Sequence, residues 1–313
     1  MPYAIAVHGG AGLTRRDSIT PEREAACRIV LEQAIEAGSA VLAAGGDALD
    51  ACVAAVTVLE DSPLFNAGRG AVYAADGTIQ MDSSVMHGAD RTAGGVAAVR
   101  GIKNPVKAAN LVRTHTEHVL LVGPYAEAFA AEHGLEICDA TYFHTDDRWS
   151  QLQMAKELGR TALDHALDDA MDRMPGDGKG TVGAVALDLH GHVAAATSTG
   201  GMTNKLPGRV GDSPLIGSGT YANDATCAVS ATGDGEKFIR GVVASRVANL
   251  VELAGLSLAD AADRVVHQEL PLLDGTGGLI AIDAGGQIAM PFNSGGMYRG
   301  FRDTEQRTEI HIW

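Results

Sequence analysis

Cysteine is scarce in this sequence, and its four residues lie far apart. Cys27, Cys52, Cys138 and Cys227 form no CxxC pair and no dense framework within the 313 residues. Such spacing disfavours a structural zinc site or a disulfide scaffold, and it suits a reducing compartment. We therefore expect the four thiols to be buried as small apolar side chains.

Long apolar runs and basic clusters are missing as well. The longest apolar run, residues 51–59, is far shorter than the roughly 20 residues that cross a bilayer. The net charge is −15, and no run of Lys and Arg stands out against the carboxylates. The first residues do not show the basic segment and long apolar stretch of a signal peptide. We expect a cytoplasmic protein that binds neither membranes nor nucleic acid.

Apolar residues are numerous: 46% of the residues are hydrophobic and 20% are charged. A hydrophobic core can therefore form without disulfides. We predict a strand from Tyr3 to Val7, a glycine-rich turn at 8–12 that allows close backbone approach, and helices beginning after Thr20 and at Asp47. Short turns between apolar stretches predict β-hairpins at 71–81, 182–196 and 279–290. Helical periodicity occupies 105–113, 124–133, 150–171, 236–254 and 257–270. This order favours an α+β fold in which helices cover antiparallel or mixed sheets.

A linker-like segment precedes a threonine that opens a strand. Residues 168–180 lose their apolar periodicity and end in proline, glycine and charged residues. The hydroxyl of Thr181 is a weak nucleophile without a base, but its own α-amine can act as that base once the Gly180–Thr181 bond is cut. An ordinary loop before an ordinary β-branched strand residue is the alternative interpretation.

Thr199 ends the strand that returns towards Thr181. If the hairpin has a two-residue turn at His190-Gly191, residue 182 pairs with 199, which places Thr199 beside the candidate nucleophile. Its hydroxyl could then orient that of Thr181. A purely structural cross-strand pair of threonines is the alternative.

Two glycine-punctuated loops offer groups that could bind a substrate. Residues 208–214 present Arg209 and Asp212, which match the carboxylate and the ammonium of an amino acid. Residues 231–236 present the Thr232 hydroxyl and the Gly233 N–H ahead of a helix, a suitable arrangement for an oxyanion. A surface ion pair and a plain strand-to-helix turn are the respective alternatives. The Asn66 amide, in the loop 63–70, could orient the nucleophile or simply stabilise a turn.

Taken together and in order, these segments resemble the plant-type L-asparaginase and isoaspartyl peptidase family of N-terminal nucleophile hydrolases. The similarity extends from about His8 to Arg299. The matching motifs are His8-Gly-Gly-Ala-Gly, Phe65-Asn-Ala-Gly, Gly180-Thr-Val-Gly-Ala-Val-Ala-Leu-Asp, Ala194-Ala-Ala-Thr-Ser-Thr-Gly-Gly, Gly208-Arg-Val-Gly-Asp-Ser-Pro and Thr232-Gly-x-Gly-Glu.

The resemblance implies one four-layer αββα domain over residues 1–313. It implies autocatalytic cleavage into an α chain, 1–180, with a mobile linker at about 168–180, and a β chain, 181–313. It further implies hydrolysis of L-asparagine and β-aspartyl dipeptides without a catalytic cofactor, by a dimer of α/β heterodimers. Other self-processing threonine hydrolases, such as glycosylasparaginase, and a non-catalytic amino-acid-binding homologue are the alternatives.

The family's functional residues transfer to matching positions in this sequence. Thr181 corresponds to the nucleophile, released by cleavage after Gly180, with Thr199 as its hydroxyl neighbour and Asn66 as a support. The other implied residues are the substrate-binding Arg209, Val210, Gly211, Asp212, Asp234 and Gly235, the oxyanion-binding Thr232 and Gly233, and a structural sodium on the main-chain carbonyls of Leu59, Glu60, Phe65 and Ala67.

Overall fold

The computed structural model describes residues 2–13, 19–159 and 180–313. The helices are α1 Pro21–Ala43, α2 Ala48–Asp61, α3 Pro105–His115, α4 Gly123–Glu132, α5 Ala140–Phe143, α6 Asp146–Glu157, α7 Gly235–Gly241, α8 Val243–Ala254 and α9 Leu258–Arg264. The strands are β1 Ala4–Leu13, β2 Met81–His87, β3 Ala93–Val99, β4 Leu120–Val122, β5 Val182–Leu187, β6 Val193–Thr199, β7 Thr220–Ala222, β8 Ala228–Gly233, β9 Gly277–Ile282, β10 Ile288–Ala289, β11 Gly296–Arg302 and β12 Thr308–His311.

The strands form two sheets. The larger sheet has eight strands in the order β12-β11-β1-β5-β6-β2-β3-β4, and the smaller has the order β10-β9-β8-β7. All pairings are antiparallel except β3–β4, which is parallel. The expected α+β class, with mixed or antiparallel sheets, is confirmed.

The first two helices begin where their capping residues predict. The Thr20 side chain accepts a hydrogen bond from Arg23 N–H at 3.2 Å, and Pro21 follows in the first turn. The Asp47 side chain accepts one from Leu49 N–H at 2.7 Å. Both caps satisfy backbone donors that the first helical turn leaves unpaired.

Alternation along the strands divides the apolar side chains between the two faces of each sheet. On β5, Val182 and Ala184 join a cluster with α1 and α2, whereas Val185 joins a cluster that includes Ile280 of the smaller sheet. On β8, Val229 and Ala231 join a third cluster with the helices of the second half of the chain. Helices therefore pack against both sheets, and apolar residues of the two sheets contact each other.

Some predicted elements differ from those observed. The strand predicted over Tyr3 to Val7 continues to Leu13, so residues 8–12 are strand and not turn; the register shifts after His8 and after Ala11. The hairpin predicted over 71–81 is wrong: Tyr73 and Ile79 make one isolated bridge, Ala74 makes another with Lys205, and β2 begins only at Met81 and pairs with β3 and β6. The other two hairpins are confirmed.

The predicted helix 236–254 is interrupted at Val242, which separates α7 from α8. The helix predicted over 257–270 is α-helical from Leu258 to Arg264 and then continues as a π turn, Val265–Glu269. The helix predicted over 150–171 begins earlier, as α6, and its part from 160 onwards lies outside the described residues, as does the linker over 168–179.

The cysteine prediction holds for Cys27, Cys52 and Cys227, which are buried, while Cys138 is partly exposed. Within the described ranges, none of the helices combines the length and the hydropathy that a membrane span requires.

Candidate active site

Thr181 and Thr199 lie beside each other at the end of the β5–β6 hairpin. The predicted register is wrong by one residue: Val182 pairs with Ser198, so the turn contains three residues and not two. Asp188 accounts for the difference, because its N–H donates to His192 O at 3.0 Å and its carboxylate accepts from the N–H groups of the turn. Continuing that register by one position sets Thr181 opposite Thr199, and their hydroxyl oxygens are 3.1 Å apart. The predicted proximity is confirmed.

The carbonyl of Gly180 is held by two side chains. Asn66 Nδ2 donates to it at 2.9 Å, and the Thr199 hydroxyl donates at 3.3 Å. Asn66 is itself fixed, since its Nδ2 also donates to Gly201 O at 2.6 Å and its Oδ1 accepts from Val72 N–H at 3.1 Å. Hydrogen-bond donors on this carbonyl oxygen would stabilise negative charge developing there.

The glycine-rich end of β1 approaches the same peptide bond. Gly10 has φ 115°, and a Cβ on it would lie 2.7 Å from Gly180 Cα. Gly180 has φ 147°, which also favours glycine. The close backbone approach predicted for residues 8–12 is therefore present, and its partner is Gly180.

Thr232 and Gly233 are the last two residues of β8, and the Thr232 side chain faces the larger sheet. The buried Thr232 hydroxyl accepts a hydrogen bond from Ala11 N–H at 3.2 Å. Because Ala11 follows Gly10, this bond connects the end of β8 to the strand that contacts Gly180. Asp234 behaves differently: its N–H donates to Thr276 O at 2.9 Å, across the β8–β9 ladder.

Arg209, Asp212 and Gly235 come together at the start of α7. A Cβ on Gly235 would lie 2.8 Å from Arg209 Nη2 and 3.0 Å from Asp212 Oδ1, so glycine leaves room between the two side chains. Asp212 is buried, and its Oδ2 has no hydrogen-bond partner among the described residues. Burial raises the pKa of Asp212 to about 7, although the nearby Arg209 charge acts to lower it.

Glu236, which sequence reasoning did not single out, pairs with the Arg209 guanidinium. Arg209 Nε and Nη2 donate to its two carboxylate oxygens, each at 2.7 Å. This bidentate arrangement is the one that Arg209 could offer to a substrate carboxylate. The sequence signal that could have identified Glu236 is its place at the end of the motif Thr232-Gly-x-Gly-Glu.

A buried cation also escaped prediction. Lys205 is 1% exposed, and its Nζ donates to Gln80 O at 2.7 Å and to Gly200 O at 2.9 Å. Burial lowers the pKa of Lys205, while the charge of the buried Asp82 acts to raise it. The sequence gives no signal for these contacts, because they join distant segments of the chain.

His8 lies beneath the site, in the space between the sheets. Its Nε2 is 2.9 Å from Ser230 Oγ, and Ser230 Oγ is 2.7 Å from Thr197 Oγ1. Burial lowers the pKa of His8 to about 3, so the imidazole is neutral at physiological pH. His8 therefore contributes hydrogen bonds and no charge.

Of the four residues predicted to bind sodium, Leu59 and Glu60 lie in the last turn of α2, and Phe65 and Ala67 lie in the loop after it. The Leu59 carbonyl accepts from Ser62 N–H at 3.3 Å, and the Phe65 carbonyl accepts from Ala67 N–H at 3.0 Å. Burial raises the pKa of the Glu60 side chain to about 8, and its Oε1 accepts from Ser198 Oγ at 2.6 Å. In the described part of the chain, no group of three or more His, Cys, Asp and Glu side chains could hold a metal ion.

The chain is similar to known proteins over almost its whole length. The asparaginase family model matches residues 1–312. An isoaspartyl peptidase of Salmonella typhimurium is 52% identical over 300 residues, which cover 95% of this chain and 94% of the relative. The isoaspartyl peptidase of Escherichia coli is 51% identical over 299 residues, 95% and 92% of the two chains. The isoaspartyl peptidase/L-asparaginase of Bos taurus is 40% identical over 297 residues, again 95% and 92%.

Proposed function

The chain belongs to the asparaginase family, and from that membership we propose that it hydrolyses L-asparagine and β-aspartyl dipeptides with Thr181 as its nucleophile. The names of its relatives, isoaspartyl peptidase and L-asparaginase, support this substrate class. The observation that carries the proposal is the pair of hydroxyls, Thr181 and Thr199, 3.1 Å apart beside the Gly180 carbonyl.

The nucleophile becomes competent by self-cleavage after Gly180. The Thr181 hydroxyl attacks the Gly180 carbonyl carbon, its proton passes to the departing α-nitrogen, and the amide becomes an ester. Water then hydrolyses the ester, leaving a carboxylate on Gly180 and a free amine and hydroxyl on Thr181. The hydrogen bonds from Asn66 and Thr199 to the Gly180 oxygen support this step, since they stabilise its developing charge. The products are chains 1–180 and 181–313.

Turnover repeats the chemistry on a substrate. The Thr181 α-amine takes the hydroxyl proton while the oxygen attacks the side-chain carbonyl of asparagine or the isopeptide carbonyl of a β-aspartyl dipeptide. The Thr232 hydroxyl and the Gly233 N–H stabilise the oxyanion, and the proton leaves with ammonia or the released amino acid. Water then frees aspartate from the Thr181 ester. These steps require no metal or organic cofactor.

Recognition of the substrate's α-amino-acid end is assigned to Arg209 and Asp212. The guanidinium binds the α-carboxylate and the carboxylate binds the α-ammonium, with the backbone of Val210, Gly211, Asp234 and Gly235 around them. Glu236 pairs with the Nε and Nη2 donors on one edge of the Arg209 guanidinium, so the donors assigned to the substrate carboxylate are the protons of Nη1 and the second proton of Nη2.

We extend the proposal to the whole assembly: an αββα four-layer fold, two α/β heterodimers per molecule, and a cytoplasmic location. The three apolar clusters, one between the sheets and one on the helix side of each sheet, support the four layers. Light scattering during size-exclusion chromatography tests the oligomeric state. We expect a mass near twice that of one full-length chain.

We also propose a structural sodium on the carbonyls of Leu59, Glu60, Phe65 and Ala67. Gly68, at φ 51°, supports this, because it folds the loop back so tightly that a Cβ there would lie 2.3 Å from Glu60 O. Hard cations prefer such oxygen ligands. Replacing sodium by choline at constant ionic strength should lower Tm, and an unchanged Tm would remove this site from the proposal.

The decisive experiment is intact mass with N-terminal sequencing, combined with activity on β-aspartyl-leucine. We expect two chains, one beginning at Thr181. A single chain of 32.3 kDa that still hydrolysed the dipeptide would refute the proposal.

Thr181→Ala should stay uncut and inactive, because it lacks the attacking oxygen. Thr226→Ala, at a buried threonine in the turn between β7 and β8, is the matched control and should cut and turn over normally. Arg209→Ala should cut normally but bind substrate weakly, and an unchanged KM for asparagine would contradict the role of Arg209.

A further inference from the structure

Gly233 and Gly277 face each other across the β8–β9 pair at a separation that requires glycine. They are register partners, with φ 153° and 154°. A Cβ on Gly277 would lie 2.7 Å from Gly233 Cα, 2.3 Å from Thr232 O and 2.8 Å from Phe238 Cζ. Two of these contacts are with backbone, so any side chain at 277 must displace the Thr232–Gly233 segment.

The ladder also determines where the Gly233 N–H points. Asp234 N–H donates to Thr276 O at 2.9 Å, towards β9, whereas Ala231 N–H donates to Gly219 O at 2.9 Å, on the opposite edge of β8. Successive N–H groups of a strand alternate between its edges, so the N–H groups of Gly233 and Ala231 share an edge. The Gly233 N–H therefore points away from β9, and Gly277 supports the strand from behind it.

Asn293 holds Gly277 through hydrogen bonds in both directions. Its N–H donates to Gly277 O at 2.9 Å, and its Oδ1 accepts from Gly277 N–H at 2.8 Å. Its Nδ2 donates to Gly275 O at 3.1 Å and to Val266 O at 3.2 Å. One side chain thus ties the start of β9 to the loop before it and to the π turn.

We propose that Gly277 and Asn293 are positioning residues for hydrolysis: Asn293 fixes Gly277, and Gly277 sets the position of the Gly233 N–H that binds the oxyanion. This inference rests on the proposed function of the site. Self-cleavage does not depend on the pair, because Asn66 and Thr199, on other elements, hold the Gly180 carbonyl. Substrate binding through Arg209 and Asp212 does not depend on it either.

The test compares Gly277→Ala with Gly285→Ala in the full-length protein. The control lies in the turn between β9 and β10, where a Cβ would meet only the Asp283 carboxyl group, with Oδ1 at 3.2 Å. Both variants should be cut at Gly180. Loss of one oxyanion donor lowers kcat by about 100-fold, and we expect that for Gly277→Ala alone, with KM for β-aspartyl-leucine and Kd for aspartate as in the control.

Asn293→Asp keeps the acceptor for Gly277 N–H and removes the two Nδ2 donors, so kcat should fall by about tenfold, again at constant KM. Circular dichroism and thermal melting will show whether Gly277→Ala is folded. If it is not, Asn293→Asp still tests the inference.

Three results would overturn the inference. One is a kcat of Gly277→Ala equal to that of Gly285→Ala. The second is a loss expressed in KM, and the third is a folded Gly277→Ala protein that remains uncut. These three results would leave the proposed function in place. A wild type that is itself uncut and inactive would instead overturn the proposed function.

Discussion

At the scale of single residues, Asp212 carries a carboxyl group whose ionisation its surroundings oppose. Its side chain is buried, and burial raises its pKa from 3.8 to about 7 against the opposing charge of Arg209. The ammonium group of an amino acid bound there would favour the ionised form. Asp212 therefore costs stability at neutral pH, at the position that we propose binds the substrate's ammonium group.

Asp212→Asn should stabilise the fold at alkaline pH while weakening substrate binding. Because the folded-state pKa is raised, the stability that Asp212 contributes is complete below about pH 4 and is lost as pH rises to about 7. We expect the variant to melt above the wild type at pH 8 and close to it at pH 4. Loss of a hydrogen bond to a charged group should raise KM about tenfold.

Asp76→Asn is the control, because the pKa of Asp76 is shifted in the opposite direction: hydrogen bonds from Thr78 lower the pKa of this exposed carboxyl group. This variant should gain no stability at pH 8. Equal melting temperatures of Asp212→Asn and wild type at pH 8 would contradict the buried charge.

At the scale of elements, the break between α7 and α8 depends on tertiary contacts. Val242 has φ 48° and ψ 46°, a left-handed conformation that is unfavourable for a β-branched residue. The next helical N–H groups donate outside the helix, from Ala244 to Ser218 O at 3.1 Å and from Ser245 to Gly217 O at 2.9 Å. The apolar periodicity continues through Val242, so the sequence pattern predicts a single helix.

Val242→Gly should stabilise the protein. The left-handed conformation costs an L-residue about 1–2 kcal/mol, which glycine does not incur, and Val242 is exposed enough that little packing is lost. Denaturant titration should give a gain of about 1 kcal/mol after the entropy cost of glycine. Asn249→Gly, in the interior of α8, is the control and should lose stability. A loss at both positions would mean that the Val242 side chain stabilises the junction.

At the scale of the whole molecule, the two halves of the chain are interleaved. Strands β5 and β6, which follow Thr181, lie in the middle of the larger sheet between β1 and β2. Strand β1 also pairs with β11, near the end of the sequence. Cutting one peptide bond removes none of these ladders or the apolar clusters beside them.

The chains 1–180 and 181–313 should therefore remain associated after self-cleavage. We expect two bands in denaturing electrophoresis but one species in native mass spectrometry and size-exclusion chromatography. Thr181→Ala, which stays uncut, should elute at the same volume. Elution of the two chains as separate species without denaturant would contradict the interleaved sheet.

The sequence by itself determined the class of fold, the capped starts of α1 and α2, and the proximity of Thr181 to Thr199. Caps, turns and strand alternation are local, and the motifs occupy short stretches, so each can be recognised without distant contacts. The register of the β5–β6 hairpin was predicted one residue out, because the Asp188 side chain closes a longer turn.

Only the tertiary structure decided which groups meet. The pairing of Arg209 with Glu236, the burial of Lys205 and the contact of Gly10 with Gly180 join segments far apart in the chain. The raised pKa of Asp212 has the same origin, since it arises from burial by several elements at once. Such contacts depend on the packing of the two sheets, which no local pattern of residues encodes.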